Sequence, residues 1–139
     1  MKRRITAFLI ALCMITLMAC GQAKEAKPYM GGHFMGDTKQ TVDARGNATE
    51  VMGLSVAHWI YLYTQDEILK GVVYEVSEDK SLEDVVAVFG ELLGEGKQGV
   101  RGNEQEYTEY SWVDGDLTVY AIHLNTGGNV VIQISSDIQ

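Results

Sequence analysis

Three histidines, His33, His58 and His123, and an acidic run, Glu104, Glu106 and Glu109, are the side chains of this chain best suited to chemistry. The histidines lie far apart, and no H-x-x-x-H or HExxH spacing sets two of them on one helix face for a metal. Satisfied or surface imidazoles are the default reading, and His58, at the strand parity of Ile60 and Leu62, is expected to be partly buried. Catalytic carboxylates need a cleft and environments that push their pKa values apart, and no second element surrounds the acidic run. On a strand Glu104 and Glu106 share one face and Glu109 the other, so the run reads as a solvated strand entry. It also lacks the spaced oxygen ligands of a calcium loop. No G-x-S-x-G elbow, Walker loop or G-x-G-x-x-G turn occurs, and Gly94-Glu95-Gly96 follows a helix instead of opening one. The expectation is no catalysis, no metal site and no cofactor.

The aromatic residues carry a different implication. Trp59, Tyr61 and Tyr63 alternate with Leu54, Val56, Ile60 and Leu62, so a regular strand would have an aromatic face and an aliphatic one. Tyr110 and Trp112 share a face of a later strand. If helices cover the aliphatic side, these five aromatics form an outward surface of the kind favoured in protein or peptide binding. The competing readings are that cross-strand aromatic pairs stabilise the sheet, or that helices cover the aromatic side instead.

The first residues set the address. Lys2-Arg3-Arg4 precede an apolar run to Ala19 that is too short for a spanning helix and reads as a signal peptide over residues 1–19. It ends in Leu17-Met18-Ala19-Cys20-Gly21, which resembles the lipobox of bacterial lipoproteins; Met18 is the unusual member. The resemblance implies cleavage before Cys20 and its lipidation, and two acyl chains suffice for a stable anchor. With Cys13 discarded and Cys20 blocked, no thiol remains for catalysis, a disulfide or a thiolate metal site. Residues 20–32 read as a flexible tether and 33–139 as a single domain. The implied location is the extracytoplasmic side of the cell membrane or outer membrane. Nineteen acidic residues against eleven basic ones give a net charge of −8. Without the three basic residues of the leader, 8 basic and 19 acidic residues remain. Such a domain repels phosphate backbones, which excludes nucleic acid as a partner.

The elements follow from periodicity and turn chemistry. Asp37 and Gln40 suggest a capped, weakly apolar helix ending near Gly46. Runs over 51–63 and 68–76 suggest a hairpin. Ser81, Glu83 and Asp84 open a helix whose stripe is Leu82, Val85, Val86, Phe89, Leu92 and Leu93, stopped by Gly94. Residues 94–102 read as a glycine-rich loop. Strands over 107–113, 116–124 and 130–135 follow, the first two joined by an Asp114-Gly115 turn. The order helix, strands, helix, strands suggests a weak duplication in an α+β two-layer sandwich: an antiparallel sheet of five to six strands with two helices on one face. Phe34 to Val42, Ser81 to Gly94 and Tyr110 to Gly115 carry a resemblance to the fold of BamE-type outer-membrane assembly lipoproteins and β-lactamase-inhibitor-like proteins. That resemblance implies a binding or assembly module. The expected function is therefore a lipid-anchored, non-catalytic envelope module for a protein or peptide. The alternatives are a small-molecule or glycan binder and, from the acidic run, a carboxylate-dependent envelope hydrolase.

Overall fold

A computed structural model describes residues 25–101 and 106–139, so the leader, Cys20 and Glu104 lie outside the described residues. Helix α1 (Lys39–Arg45) leads into strands β1 (Glu50–Val51), β2 (Leu54–Tyr63) and β3 (Leu69–Val76). Helix α2 (Leu82–Leu93) leads into β4 (Lys97–Arg101), β5 (Tyr107–Asp114), β6 (Leu117–Leu124) and β7 (Val131–Ser136). All seven strands form one antiparallel sheet in the order β1-β2-β3-β7-β6-β5-β4. Two meanders thus meet where their last strands, β3 and β7, pair. The helix–strands–helix–strands order is as expected, but the sheet has seven strands where five to six are expected.

The two additional strands owe their form to pairing and not to local pattern. Lys97–Arg101 has no alternation and includes Gly99, yet it pairs with β5 along its whole length, inside the stretch read as a loop. Strand β1 is two residues long and pairs with Leu54 and Ser55 across a tight Met52-Gly53 turn with positive φ at both residues. That geometry matches the right-handed twist of a two-residue hairpin.

Helix α2 forms as its sequence dictates. Ser81 and Asp84 exchange hydrogen bonds in a capping box, acids occupy the first turn, and Leu82, Val85 and Phe89 are buried. Gly94 takes φ 88° and closes the end, a conformation only glycine adopts freely. Leu92 falls outside the buried stripe and is exposed. Helix α1 is capped by Thr38, whose side chain accepts from the Thr41 N–H, and not by Asp37. Only Val42 of α1 is buried.

The face of β2 is set by a bulge. Val56 pairs with Val76 and His58 with Glu75, which leaves Ala57 as an extra residue. One extra residue exchanges the two faces of everything after it. Leu54 and Val56 therefore share the core side with Trp59, Tyr61 and Tyr63, while His58, Ile60 and Leu62 turn outward. The packed chain also begins earlier than His33: Tyr29 and Met30, placed in the tether by their sequence context, are fully buried. Tyr29 touches the Phe89 ring and donates to Asp114 Oδ2 at 2.5 Å.

Candidate functional site

The five aromatics singled out from the sequence all turn toward the core side, which corrects the outward stripe expected from uninterrupted alternation. Trp112 is buried, stacks on Phe89 at 5.3 Å between centroids, and donates its indole N–H to Gly94 O at 2.9 Å. Tyr110, half-buried, stacks on Trp112. Trp59 donates its indole N–H to Ala48 O at 2.7 Å and packs on Tyr61 and Tyr74. Tyr63 is half-buried beside them. The sheet itself separates the Trp59 group on β2 from the Tyr110 group on β5. These rings hold the core together, which is the competing reading of their spacing.

His33, in contrast to His58 and His123, is buried, in a polar pocket under β2. Its Nε2 lies 3.0 Å from Gly46 O and 3.0 Å from Tyr61 Oη. Tyr61 donates its own proton to Asn47 Oδ1 at 2.6 Å. The Nε2 proton therefore points at Gly46 O, and Nδ1 is buried with no partner among the described residues. Burial, reinforced by the nearby Arg45 charge, holds the imidazole pKa below 6.5 against the opposing pull of Gly46 O and Asp37. The same burial pushes the Tyr61 hydroxyl up to about 12. Asp37 accepts from Phe34 N–H and pairs with Arg45, whose guanidinium lies 5.1 Å from the Phe34 ring centroid. These contacts fasten α1 to the turn before it.

At the other end of the core, the Tyr29 hydrogen bond and Lys27, 3.2 Å away, hold the Asp114 carboxylate below its usual range. This pair secures the segment before His33 to the β5–β6 turn. The hydroxyl of Tyr74 is buried with no partner among the described residues.

Three surface features remain open. On the outer side of the sheet Ile60 (58%), Leu62 (38%), Val113 (77%) and Leu124 (41%) are exposed. Along the edge, β1 pairs only with Leu54 and Ser55, and Val56 N–H reaches Thr49 O; past that point no strand among the described residues pairs with β2 on this side. Between α2 and strands β4–β6 lies a cleft of about 520 Å3, lined among others by Leu82, Val86, Gln98, Thr108, Tyr110 and His123. Of the predicted binding residues, Tyr110 lines this cleft. Sequence alternation misassigned Ile60 and Leu62, and the missed signal is the bulge at Ala57, a small residue with no pattern of its own.

The histidines are not brought together, and among the described residues no group of three His, Cys, Asp or Glu side chains could hold a metal. Glu106 is exposed just before β5, and Glu109 faces the outer side opposite Gly99 and Ile122. No helix among the described residues is long and apolar enough to cross a membrane. Comparison with known proteins finds no matching family model, no matching curated protein and no matching solved structure.

Proposed function

We propose that this chain is a lipid-anchored, extracytoplasmic, non-catalytic module, held through Cys20 at the cell membrane or outer membrane, that binds an envelope protein or peptide. Its architecture is read as a two-layer sandwich with both helices on one face. Phe89 of α2 on Trp112, and Val42 of α1 in the same core cluster as the Trp59 group, support that layering. The opposite face is then the binding surface, in place of the aromatic one. The observation that carries this reading is the open outer face with Ile60, Leu62, Val113 and Leu124 exposed. The four side chains share one face and are spread over β2, β5 and β6, so the reading rests on an open apolar-bearing face and not on one contiguous patch.

The test is recovery of cross-linked partners from intact envelopes by the full-length chain, beside a Val113→Lys/Leu124→Lys variant with an unchanged melting temperature. One protein recovered by the wild type and lost by the variant supports the reading; equal recovery by both overturns it. Cys20→Ser abolishes lipid labelling and membrane retention if the anchor is as proposed, and continued labelling of that variant rules the anchor out. A second reading, a neutral small molecule or glycan, is favoured by the cleft beside Tyr110, whose volume lies within the range of ligand pockets. A thermal shift with neutral oligosaccharides that Tyr110→Ala removes would select it.

A further inference from the structure

The two lateral edges of the sheet are defended differently. Strand β4 opens on Lys97, a charge of the kind that discourages edge-to-edge pairing. Strand β2 carries no charge or proline, and its one device of this kind is the bulge at Ala57, at the end of its free stretch. From Val51 to Gln65 the chain contains no Asp, Glu, Lys, Arg or Pro, and from Ala57 onward no strand among the described residues pairs with its free side.

The direction of its amides can be read from the hairpin end. Thr64 N–H donates to Ile68 O, so Thr64, and by alternation Leu62 and Ile60, turn their backbone groups toward β3. Trp59, Tyr61 and Tyr63 then present their N–H and C=O groups to the open side. Bare backbone groups of this kind are a template for another strand.

We infer that the β2 edge pairs with the β2 edge of a second copy of this chain, antiparallel about a two-fold axis at Tyr61. An antiparallel strand is complementary to itself, as a closed two-fold dimer requires. In this register Tyr61 faces its own counterpart and Trp59 faces Tyr63 of the other copy, so the amides turned outward are the ones that bond. On the outer side Ile60 comes opposite Leu62 of the other copy, and Leu62 opposite Ile60. Two exposed aliphatic residues of each copy thereby cover each other. The incoming strand ends near Ala57, where the β1 stub begins, so the lengths match. Charge selects the same seam. Copies of a chain with net charge −8 repel one another, and no residue of the paired stretch itself is charged, with the acids Asp43 and Glu67 standing near Tyr63 at its end.

The pairing concerns the edge, and the outer-face reading does not depend on it. Two differently tagged full-length copies are expressed together, and the fraction co-purified from membranes in mild detergent is measured. Wild-type copies are expected to co-purify. Ile60→Lys in both copies, or Leu62→Glu in both, is expected to reduce recovery at least about tenfold with no change in melting temperature, since each charge is set against an aliphatic residue of the other copy and lies diagonal to its like-charged counterpart. One copy with Ile60→Lys and the other with Leu62→Glu is expected to restore it, because the register sets Lys against Glu. Val113→Lys, on the distant strand β5, is expected to leave self-association unchanged. Wild-type copies that never co-purify, single-charge variants that still associate, or a mixed pair that fails to recover would each overturn the inference. Ile60 and Leu62 also belong to the outer face, so the partner reading is scored on Val113→Lys/Leu124→Lys alone, and the two proposals fail separately.

Discussion

Each half of the molecule runs a helix into a meander, and each fastens the turn between them with a tryptophan. In the first half Trp59 of β2 donates to Ala48 O, shortly after α1; in the second, Trp112 of β5 donates to Gly94 O, at the end of α2. Each ring also lies against a glycine that leaves no room for a methyl group. A Cβ on Gly31 would come 2.6 Å from Trp59, and one on Gly96 2.7 Å from Trp112. The halves differ in how much surrounds this latch. The second half has a helix of 12 residues and a five-residue edge strand, whereas the first has a helix of 7 and an edge strand of two. The larger half covers its penultimate strand, and the smaller one leaves β2 open. One repeated latch thus serves two unequal scaffolds, and the unpaired edge is what the smaller scaffold leaves uncovered.

The largest expected effect tests whether the latches are equivalent. Trp112→Ala removes a buried ring and its hydrogen bond and should cost about 3–5 kcal/mol. Trp59 is half-buried, so Trp59→Ala should fall at or below the low end of that range, about 3 kcal/mol. Urea denaturation of both variants checks the ranking. Equal losses would mean that the first half is as tightly built as the second and would break the comparison.

The same asymmetry explains what the sequence discloses. Helix α2, with cap, stripe and stop in agreement at every position but the exposed Leu92, is legible in the sequence, as is the Asp114-Gly115 hairpin. The weaker half is where local reading fails. Asp37 looks like a cap, but the Phe34 N–H and Arg45 take its carboxylate, and Thr38 caps in its place. Strand alternation through 54–63 looks unbroken because Ala57 and His58 fit either face, so the bulge that reverses the aromatic stripe shows only in the pairing with β3. Strand β4 is invisible because its form is imposed by β5. Tyr29 and Met30 sit in a polar, patternless segment, and only the long-range contact to Phe89 and Asp114 makes that segment part of the core. The consequence for the site is direct: the aromatic residues were identifiable as a group, and their side of the sheet was not.

Capping sharpens the contrast at smaller scale. Ser81→Ala removes one member of a reciprocal capping box on a long helix and should cost about 1 kcal/mol. Thr38→Ala removes a cap bond of 3.3 Å and an exposed hydroxyl contact of 2.9 Å to Thr41 at the start of a helix that buries only Val42, and its cost should sit nearer about 0.5 kcal/mol. Paired thermal melts distinguish the two, and a larger loss at Thr38 would show that α1 contributes more to the first half than its length suggests.

The smallest effect separates the halves by pH. Only the first half has a fully buried imidazole, His33; His123 in the second is half-exposed and bonds to Gly128 O. Folding keeps the His33 pKa below 6.5, so as pH falls the unfolded chain takes up this proton before the folded one does. The contribution of neutral His33 is therefore fully present above pH 6.5 and is lost as pH drops from there toward the folded pKa, below which it levels off. The loss should be modest, because Gly46 O and Asp37 pull against burial and Arg45. The imidazolium would also need a partner for Nδ1, which the folded pocket does not supply. Urea midpoints measured between pH 7.5 and pH 5 should decline for the wild type. They should decline less for His33→Gln, in which no group titrates at that position. Parallel declines would place the proton uptake elsewhere and leave the Gly46–His33–Tyr61 contacts a purely geometric support for the β2 strand.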